Sequence, residues 1–512
     1  MPEIKIRPYQ KDVIGEVHNS WKKGNKHVLM QLPTGGGKTV CFSYMAQKAS
    51  LKGNNILILT HRQELMGQTS GTLSNFHLNP KLIDAKTRHI PESNCYVCMT
   101  NSLRNRLRKD EWKKWFESIS LVIIDEAHQQ DFNWIFEIPS IKDKYVIGVT
   151  ATPKRSNNQV ELSKQYDDLV FGPDVQEMIN LGYLCTDKYY SVPVDMTGVK
   201  TKGGDYDTDQ MYSRYNKSEL YSGVIDNWKR ICPDTITLCF CVNIQHCINT
   251  CKAFNEAGVK AKFIVSDLAK PKLKSDNKGD ISLFTLKENE YQNYLVNFDL
   301  YSGERRDVIN QWERGDFKIL INAGIATTGF DFPPIQTIIM NRSTTSDNLL
   351  LQIFGRGARI SEGKEAFNIL DFGDNCSRLG YYRQQREYSL HHDKANSSGG
   401  APPVKDCPKC QALVFASSRV CKYCGYVFPL THDEKIIELK EVKYSEAVPH
   451  LNTIHDYEVF AESKGYKKTW VYRQIYIKFG LDGLKEYASE HHIAPNWVYM
   501  QKARYDAQGI RK

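Results

Sequence analysis

The sequence predicts an α/β protein with two tandem parallel-sheet domains, followed by a small cysteine-bearing ribbon and a mainly helical C-terminal domain. Three observations lead there. The chain has 512 residues, too many for one hydrophobic core when typical domains hold roughly 100–200. Short apolar runs recur in two series, spaced widely enough for intervening helices. A Gly/Ser/Pro segment, Ser397–Pro403, then precedes two cysteine pairs.

The first series is His27–Met30, Ile56–Leu59, Leu121–Ile124 and Tyr145–Gly148. Continuous apolar runs of this length with helix-sized spacing are the pattern of a parallel sheet covered on both faces. We place this domain at residues 1–185. The rhythm stops in the polar, glycine-bearing stretch Lys200–Asp209 and resumes at Ile236–Phe240, Lys318–Ile321, Ile338–Met340 and Phe367–Leu370. A second domain of the same kind is expected over residues 186–388, with a Lys/Asn-rich insertion near 268–300. Residues 389–406 form a linker, 407–430 the ribbon and 431–512 the helical tail.

Hydrophobic content of 41% and charged content of 25% are ordinary for a globular chain, and no apolar run approaches the roughly 18 residues a membrane span needs. The first residues lack the pattern of a secretory signal, so a cytoplasmic protein with no membrane partner is expected. A net charge of +9 leans toward a polyanionic partner. Fourteen cysteines in such a compartment are not expected to form disulfides. Cys95 and Cys98 lie in a strand-like run and read as core packing, and Cys247 and Cys251, four apart, as buried on one helix face.

Two segments carry chemistry in the first domain. Leu32-Pro33-Thr34-Gly35-Gly36-Gly37-Lys38-Thr39 follows a predicted strand and opens a predicted helix. Glycines there let backbone N–H groups turn toward a β-phosphate, Lys38 brings charge to the β/γ oxygens, and the Thr39 hydroxyl suits magnesium. Leu32 stands where the strict phosphate-loop pattern has a further glycine. Asp125-Glu126-Ala127-His128 ends the run Leu121–Ile124, at the strand terminus where parallel sheets place ligands. Asp125 is suited to hold Mg²⁺ and Glu126 to activate the attacking water. ATP and Mg²⁺ are the expected cofactors.

With these residues the chain resembles superfamily 2 helicases, in particular their bacterial and phage RadD-like, restriction-helicase-like branch, over residues 4–375. The resemblance implies two RecA-like domains and assigns roles to further segments. Arg7 and Gln10, in Arg7-Pro8-Tyr9-Gln10, match the adenine-reading segment. Pro33, Thr34, Gly35, Gly36, Gly37, Lys38 and Thr39 hold the phosphates, with Gly329 and Asp331 of Ala326–Asp331 completing the nucleotide site. His61 and Arg62, Thr100 and Asn101, and Thr327 match strand-contacting segments. His128, Thr150, Thr152 and Gln352 match residues that couple hydrolysis to movement. In Gln352-Ile353-Phe354-Gly355-Arg356-Gly357-Ala358-Arg359, Arg356 and Arg359 correspond to arginine fingers. The insertion near 268–300 departs from the family pattern.

Cys407-x-x-Cys410 and Cys421-x-x-Cys424, ten residues apart, have the spacing of a structural Zn²⁺ site with four thiolates. After them, Lys464–Tyr476 interleaves basic and aromatic residues, including Lys467, Lys468 and Trp470. Such a stretch either grips phosphates and stacks bases, or forms a small helical core with solvated lysines, and the two uses are compatible.

The resemblance implies an ATP-dependent helicase acting on DNA, with RNA open because no 2′-hydroxyl reader can be named. A duplex translocase or remodeller that moves without unwinding, and an ATP-gated nucleic-acid clamp, are the alternatives.

Overall fold

The computed structural model describes residues 5–507 apart from 156–158, 193, 195, 197, 203, 217, 265–271, 274–284, 287–299, 325–330, 387, 392–403, 408, 410–412, 416–423, 427–437, 443–452 and 465–467. Two compact units are present. The first holds residues 1–375, 381–392 and 436–441, and the second residues 376–380, 393–435 and 442–512.

The first unit contains two seven-stranded sheets. In the N-terminal domain the strands are β1 (His27–Gln31), β2 (Asn55–Thr60), β3 (Lys81–Ile83), β4 (Cys95–Met99), β5 (Ile119–Asp125), β6 (Tyr145–Thr150) and β7 (Asp168–Phe171), in spatial order β3-β4-β2-β5-β6-β1-β7. Every pairing is parallel. The helices are α1 (Pro8–Lys22), α2 (Lys38–Ser50), α3 (Gln63–Asn75), α4 (Thr100–Arg106), α5 (Asp110–Glu117) and α6 (Val175–Asn180). Strand β1 is buried along Val28–Gln31 and β5 along Leu121–Asp125, which is why these runs are apolar without alternation. Cys95 and Cys98 are buried in β4, as expected of core residues.

The second domain contributes β8 (Thr186–Ser191), the short hairpin β9 (Thr201–Lys202) and β10 (Asp205–Tyr206), then α7 (Thr208–Tyr215), α8 (Ser218–Ile231), β11 (Thr237–Cys241), α9 (Ile244–Glu256) and β12 (Ala261–Ile264). After the insertion come α10 (Arg305–Glu313), β13 (Ile319–Asn322), β14 (Thr337–Asn341), α11 (Asp347–Gly357) and β15 (Ala366–Asp371). Most of residues 268–300 lies outside the described residues. Cys247 and Cys251 are buried on α9, packed with Cys239, Cys241 and Phe254.

The polar stretch around Lys200–Asp209 is structured. Asp205 at its centre accepts hydrogen bonds from Arg342 Nη2 (2.7 Å), Thr344 Oγ1 (2.9 Å) and the Thr345 N–H (2.8 Å), in the turn that leads from β14 into α11. Of the segment expected to form the tail, one piece belongs to the second sheet instead. Strand β18 (Lys440–Val442) lies beside β8, and the preceding Leu439 is buried against Trp228 and Phe254, an apolar anchor stronger than anything its polar flanks offered.

In the second unit, β16 (Val404–Asp406) and β17 (Leu413–Phe415) form an antiparallel hairpin. Helices α12 (Ile454–Lys464), α13 (Lys468–Glu490) and α14 (Asn496–Ala507) share a core of Tyr457, Ile475, Leu484, Tyr487 and Val498. Gly480, at φ 70°, breaks α13 into two arms, a backbone geometry that costs a residue with a Cβ far more. No helix among the described residues is long and apolar enough to cross a membrane.

Candidate ATP site and nucleic-acid face

Three neighbouring strands of the first sheet end at one place. Register pairs Gln31 of β1 with Thr150 of β6, and Val149 of β6 with Asp125 of β5, so the glycine loop, the acidic segment and the Thr150–Pro153 segment leave the sheet side by side. Backbone bonds tie them together, Leu32 N–H to Thr150 O (3.1 Å) and Ala127 N–H to Val149 O (3.0 Å).

The glycine loop turns through Gly35 at φ 86° and Gly37 at φ 76° before α2 begins at Lys38. A Cβ on Gly37 would come within 2.4 Å of Gln10 Nε2, and the positive φ is what favours glycine here. Gln10 Nε2 donates to Gly36 O (3.4 Å), Tyr9 Oη donates to the same carbonyl (2.8 Å), and the Arg7 N–H donates to Gln10 Oε1 (3.0 Å). The expected adenine reader therefore lies against the expected phosphate loop.

Asp125 is buried and Glu126 partly buried. Burial, and then the neighbouring Glu126 charge, push the Asp125 carboxyl up to about 7. Glu126 is the ionised partner: burial works against its charge, but Lys38, His128, His61 and Arg356 together hold it below the ordinary range. Its backbone is left-handed, at φ 52°, uncommon for a residue with a side chain and of the kind stored at functional sites. Glu126 Oε2 is buried and makes no hydrogen bond, although His128 Nδ1 lies 3.5 Å away. Two crowded carboxyls beside Lys38 fit a divalent cation, which would relieve their repulsion, so the donor set suits Mg²⁺ with a polyphosphate.

His128 Nδ1 lies 2.8 Å from Thr150 Oγ1, which also accepts the Thr152 N–H at 3.1 Å. Burial holds the His128 ring below its usual range. The segment is clamped by a residue that motif matching passed over. Arg155 is buried and donates to the carbonyls of Ala127 (3.2 Å), His128 (2.9 Å) and Gln129 (3.1 Å). Nothing local in the sequence marks it, since an arginine after a loop is ordinarily solvated.

The second domain meets this site through α11. Gly355 faces the loop so closely that a Cβ there would lie 2.4 Å from Thr34 Cβ. Arg356 is buried with the Glu126 charge acting on it, and Gln352 is buried on the same helix. Arg359 is ion-paired with Asp331. Lys364, not singled out by sequence, caps this helix end: its Nζ donates to Pro333 O (2.9 Å), Gly357 O (2.6 Å) and Arg359 O (2.8 Å). Lys154, next after Pro153, pairs with Asp347 at the first turn of α11 (3.4 Å).

The expected strand-contacting residues divide. Arg62 and Asn101 are exposed just past the ends of β2 and β4. His61 is partly buried, edge-on to Phe132. Thr100 is 1% exposed, its hydroxyl donating to Asp131 O (3.0 Å) and accepting Trp134 Nε1–H (3.0 Å), so its side chain ties down the loop. Lys468 is exposed at the start of α13, and Trp470 lies within that helix. Thr327, Gly329, Lys467, Cys410 and Cys421 lie outside the described residues. Cys407 is buried with its sulfur 3.5 Å from that of Cys424. Among the described residues no group of three or more metal-ligating side chains occurs.

Comparison with known proteins agrees with this geometry. The family described as "Type III restriction enzyme, res subunit" matches residues 3–155, and "Helicase conserved C-terminal domain" matches residues 237–361. These two matches support an ATP-dependent enzyme of helicase superfamily 2. Within that class the chain is related to the type I and type III restriction helicases. It is 29% identical over 389 residues to IRC3 of Saccharomyces cerevisiae, whose name proposes an ATP-dependent helicase, covering 72% of this chain and 51% of that protein. It is 24% identical over 401 residues to the type I restriction enzyme EcoAI endonuclease subunit of Escherichia coli, covering 72% and 46%. The chain thus spans about half the length of these relatives. The fold is also that of the ATP-dependent type ISP restriction-modification enzyme LlaBIII bound to DNA, with TM-score 0.51, 15% identity, and coverage of 72% of this chain and 28% of that one.

Proposed function

We propose that this chain is a DNA-directed motor of the RadD-like branch, which hydrolyses ATP between its two sheets and uses closure of the cleft to move along or unwind the polymer. The observation that carries this reading is the meeting of Lys38, Asp125, Glu126 and His128 with Arg356 across one cleft, sealed by Thr34 against Gly355. Gln10 and Arg7 read the base, Lys38 and the loop N–H groups hold the phosphates, and Glu126 takes the proton of the attacking water. Thr39 and Asp125 would hold Mg²⁺, which supplies charge neutralisation at the phosphates. Arg356 stabilises charge developing on the transferred group, with Arg359 released from Asp331 as its second. His128, Thr150 and Thr152 pass the state of Glu126 to the Lys154–Asp347 pair, so α11 and the strand-holding loops respond to hydrolysis. Arg62 and Asn101, exposed beside the cleft, meet the strand, and DNA is favoured because LlaBIII is bound to it.

The two cysteine pairs are read as a structural zinc site, supported by their spacing and by the approach of the Cys407 and Cys424 sulfurs. About one zinc per chain by metal analysis is expected, and none would remove this part of the reading.

The deciding experiment is the ATPase rate with no polymer, single-stranded DNA, duplex DNA, forked DNA and RNA, each beside Lys38→Ala. Stimulation by DNA, lost in the variant, is expected. A rate indifferent to every polymer would reduce the chain to a nucleotide switch. Strand-displacement and triplex-displacement assays then separate unwinding from duplex translocation.

A further inference from the structure

The segment joining the two sheets, between α6 and β8, touches the nucleotide machinery at three consecutive residues. Cys185 donates its backbone N–H to Ala358 O (2.7 Å), and Leu184 bridges antiparallel to Arg359. Leu184 Cδ2 also lies 2.9 Å from where a Cβ on Gly35 would sit, which places it over the glycine loop. Tyr183 turns to the other side. The Arg7 guanidinium lies over its ring, 4.6 Å from the centroid, and its ring is 5.0 Å from that of Tyr9. Tyr9 and Gln10 both donate to Gly36 O, and Gln10 takes the Arg7 N–H. One packed group therefore contains the base reader, the phosphate loop and a residue of the joining segment.

We propose that Tyr183 is a positioning residue of the base-binding platform: it holds the Arg7 guanidinium over its ring, so that the adenine of ATP stacks on an ordered Arg7. A guanidinium is planar and donates only at its edges, so both faces are available for stacking, one for the ring and one for a base. Without the ring, Arg7 must be ordered at the moment of binding, and that cost appears as lost affinity. Because Tyr183 lies on the joining segment, base occupancy is reported directly to the part of the chain that must flex when the cleft closes.

This rests on the ATP-site reading, and the test separates the two. Affinities for the non-hydrolysable analogue AMP-PNP and for inorganic tripolyphosphate are measured by calorimetry on the full chain, for the unaltered protein, Tyr183→Ala and Tyr183→Phe. The expected result is a Kd for AMP-PNP raised about tenfold in Tyr183→Ala, near the unaltered value in Tyr183→Phe, with tripolyphosphate binding unchanged in both. Equal weakening of both ligands would assign Tyr183 a merely structural role and overturn the proposal, as would an unchanged AMP-PNP affinity. An unaltered protein that binds neither ligand would overturn the ATP-site reading itself.

Discussion

The two sides of the cleft are built by different means. On the N-terminal side the reacting groups leave adjacent strand ends, and the sheet register brings Gln31 level with Thr150 and Asp125 level with the neighbouring Val149. On the other side Gln352, Arg356 and Arg359 ride on one helix, α11, whose placement depends on side-chain anchors from distant sequence. Asp205 grips the turn before the helix and Lys364 caps its end. Backbone register is a stiff, redundant scaffold, whereas a helix held by two polar anchors can be shifted by loosening either. On this second side the two polar anchors add to the buried apolar face of α11, formed by Leu350, Leu351, Ile353 and Phe354.

The largest effects should come from the chemical groups themselves, and they should not distinguish the two sides. Arg356→Ala is expected to lower polymer-stimulated kcat about 10³- to 10⁵-fold, and Arg356→Lys should not restore it, because a point charge cannot reproduce the planar donor fork. Full ATPase in Arg356→Ala would refute its assignment. Glu126→Gln should lower kcat by about 10²- to 10⁴-fold while ATP still binds.

Smaller effects should sharpen the contrast. Asp205→Asn leaves Arg342, Thr344 and Thr345 with poorer acceptors and is expected to lower kcat by about tenfold with KM for ATP little changed. An equal loss in both parameters would mean that Asp205 supports the whole site and not α11 alone. The Lys154–Asp347 pair is half exposed on the lysine side, so its direct worth is small, about 0.2–1 kcal/mol. Lys154→Glu should reduce stimulated turnover a few-fold, and the swap Lys154→Glu with Asp347→Lys should recover most of it. No recovery would detach this pair from the coupling route.

The smallest effect is on stability. Burial holds His128 and His246 below their usual 6.5, so the folded chain binds fewer protons than the unfolded one below that pH. Stability from these groups is full above 6.5 and declines as pH falls beneath it. The urea midpoint should therefore be lower at pH 5.5 than at pH 7.5, with the difference reduced in His246→Asn.

What could be read from the residues alone was local in sequence. The runs around Val28, Ile58 and Ile123 announce buried parallel strands because a strand covered on both faces has no polar positions to alternate with. Gly37-Lys38-Thr39 and Asp125-Glu126 announce themselves because phosphate and metal chemistry demands those groups at fixed spacing on a strand-to-helix turn. The burial of Cys247 and Cys251 followed from helical period. Only the tertiary structure decided which polar residues were drawn inside. Thr100, Arg155, Asp205 and Lys364 look like surface residues in a string of letters, and each became an anchor because a carbonyl or hydroxyl from a distant segment needed a partner once water was excluded. Tyr183 belongs with them: its place beside Arg7, far upstream in the chain, follows from the path of the joining segment, which no local pattern encodes.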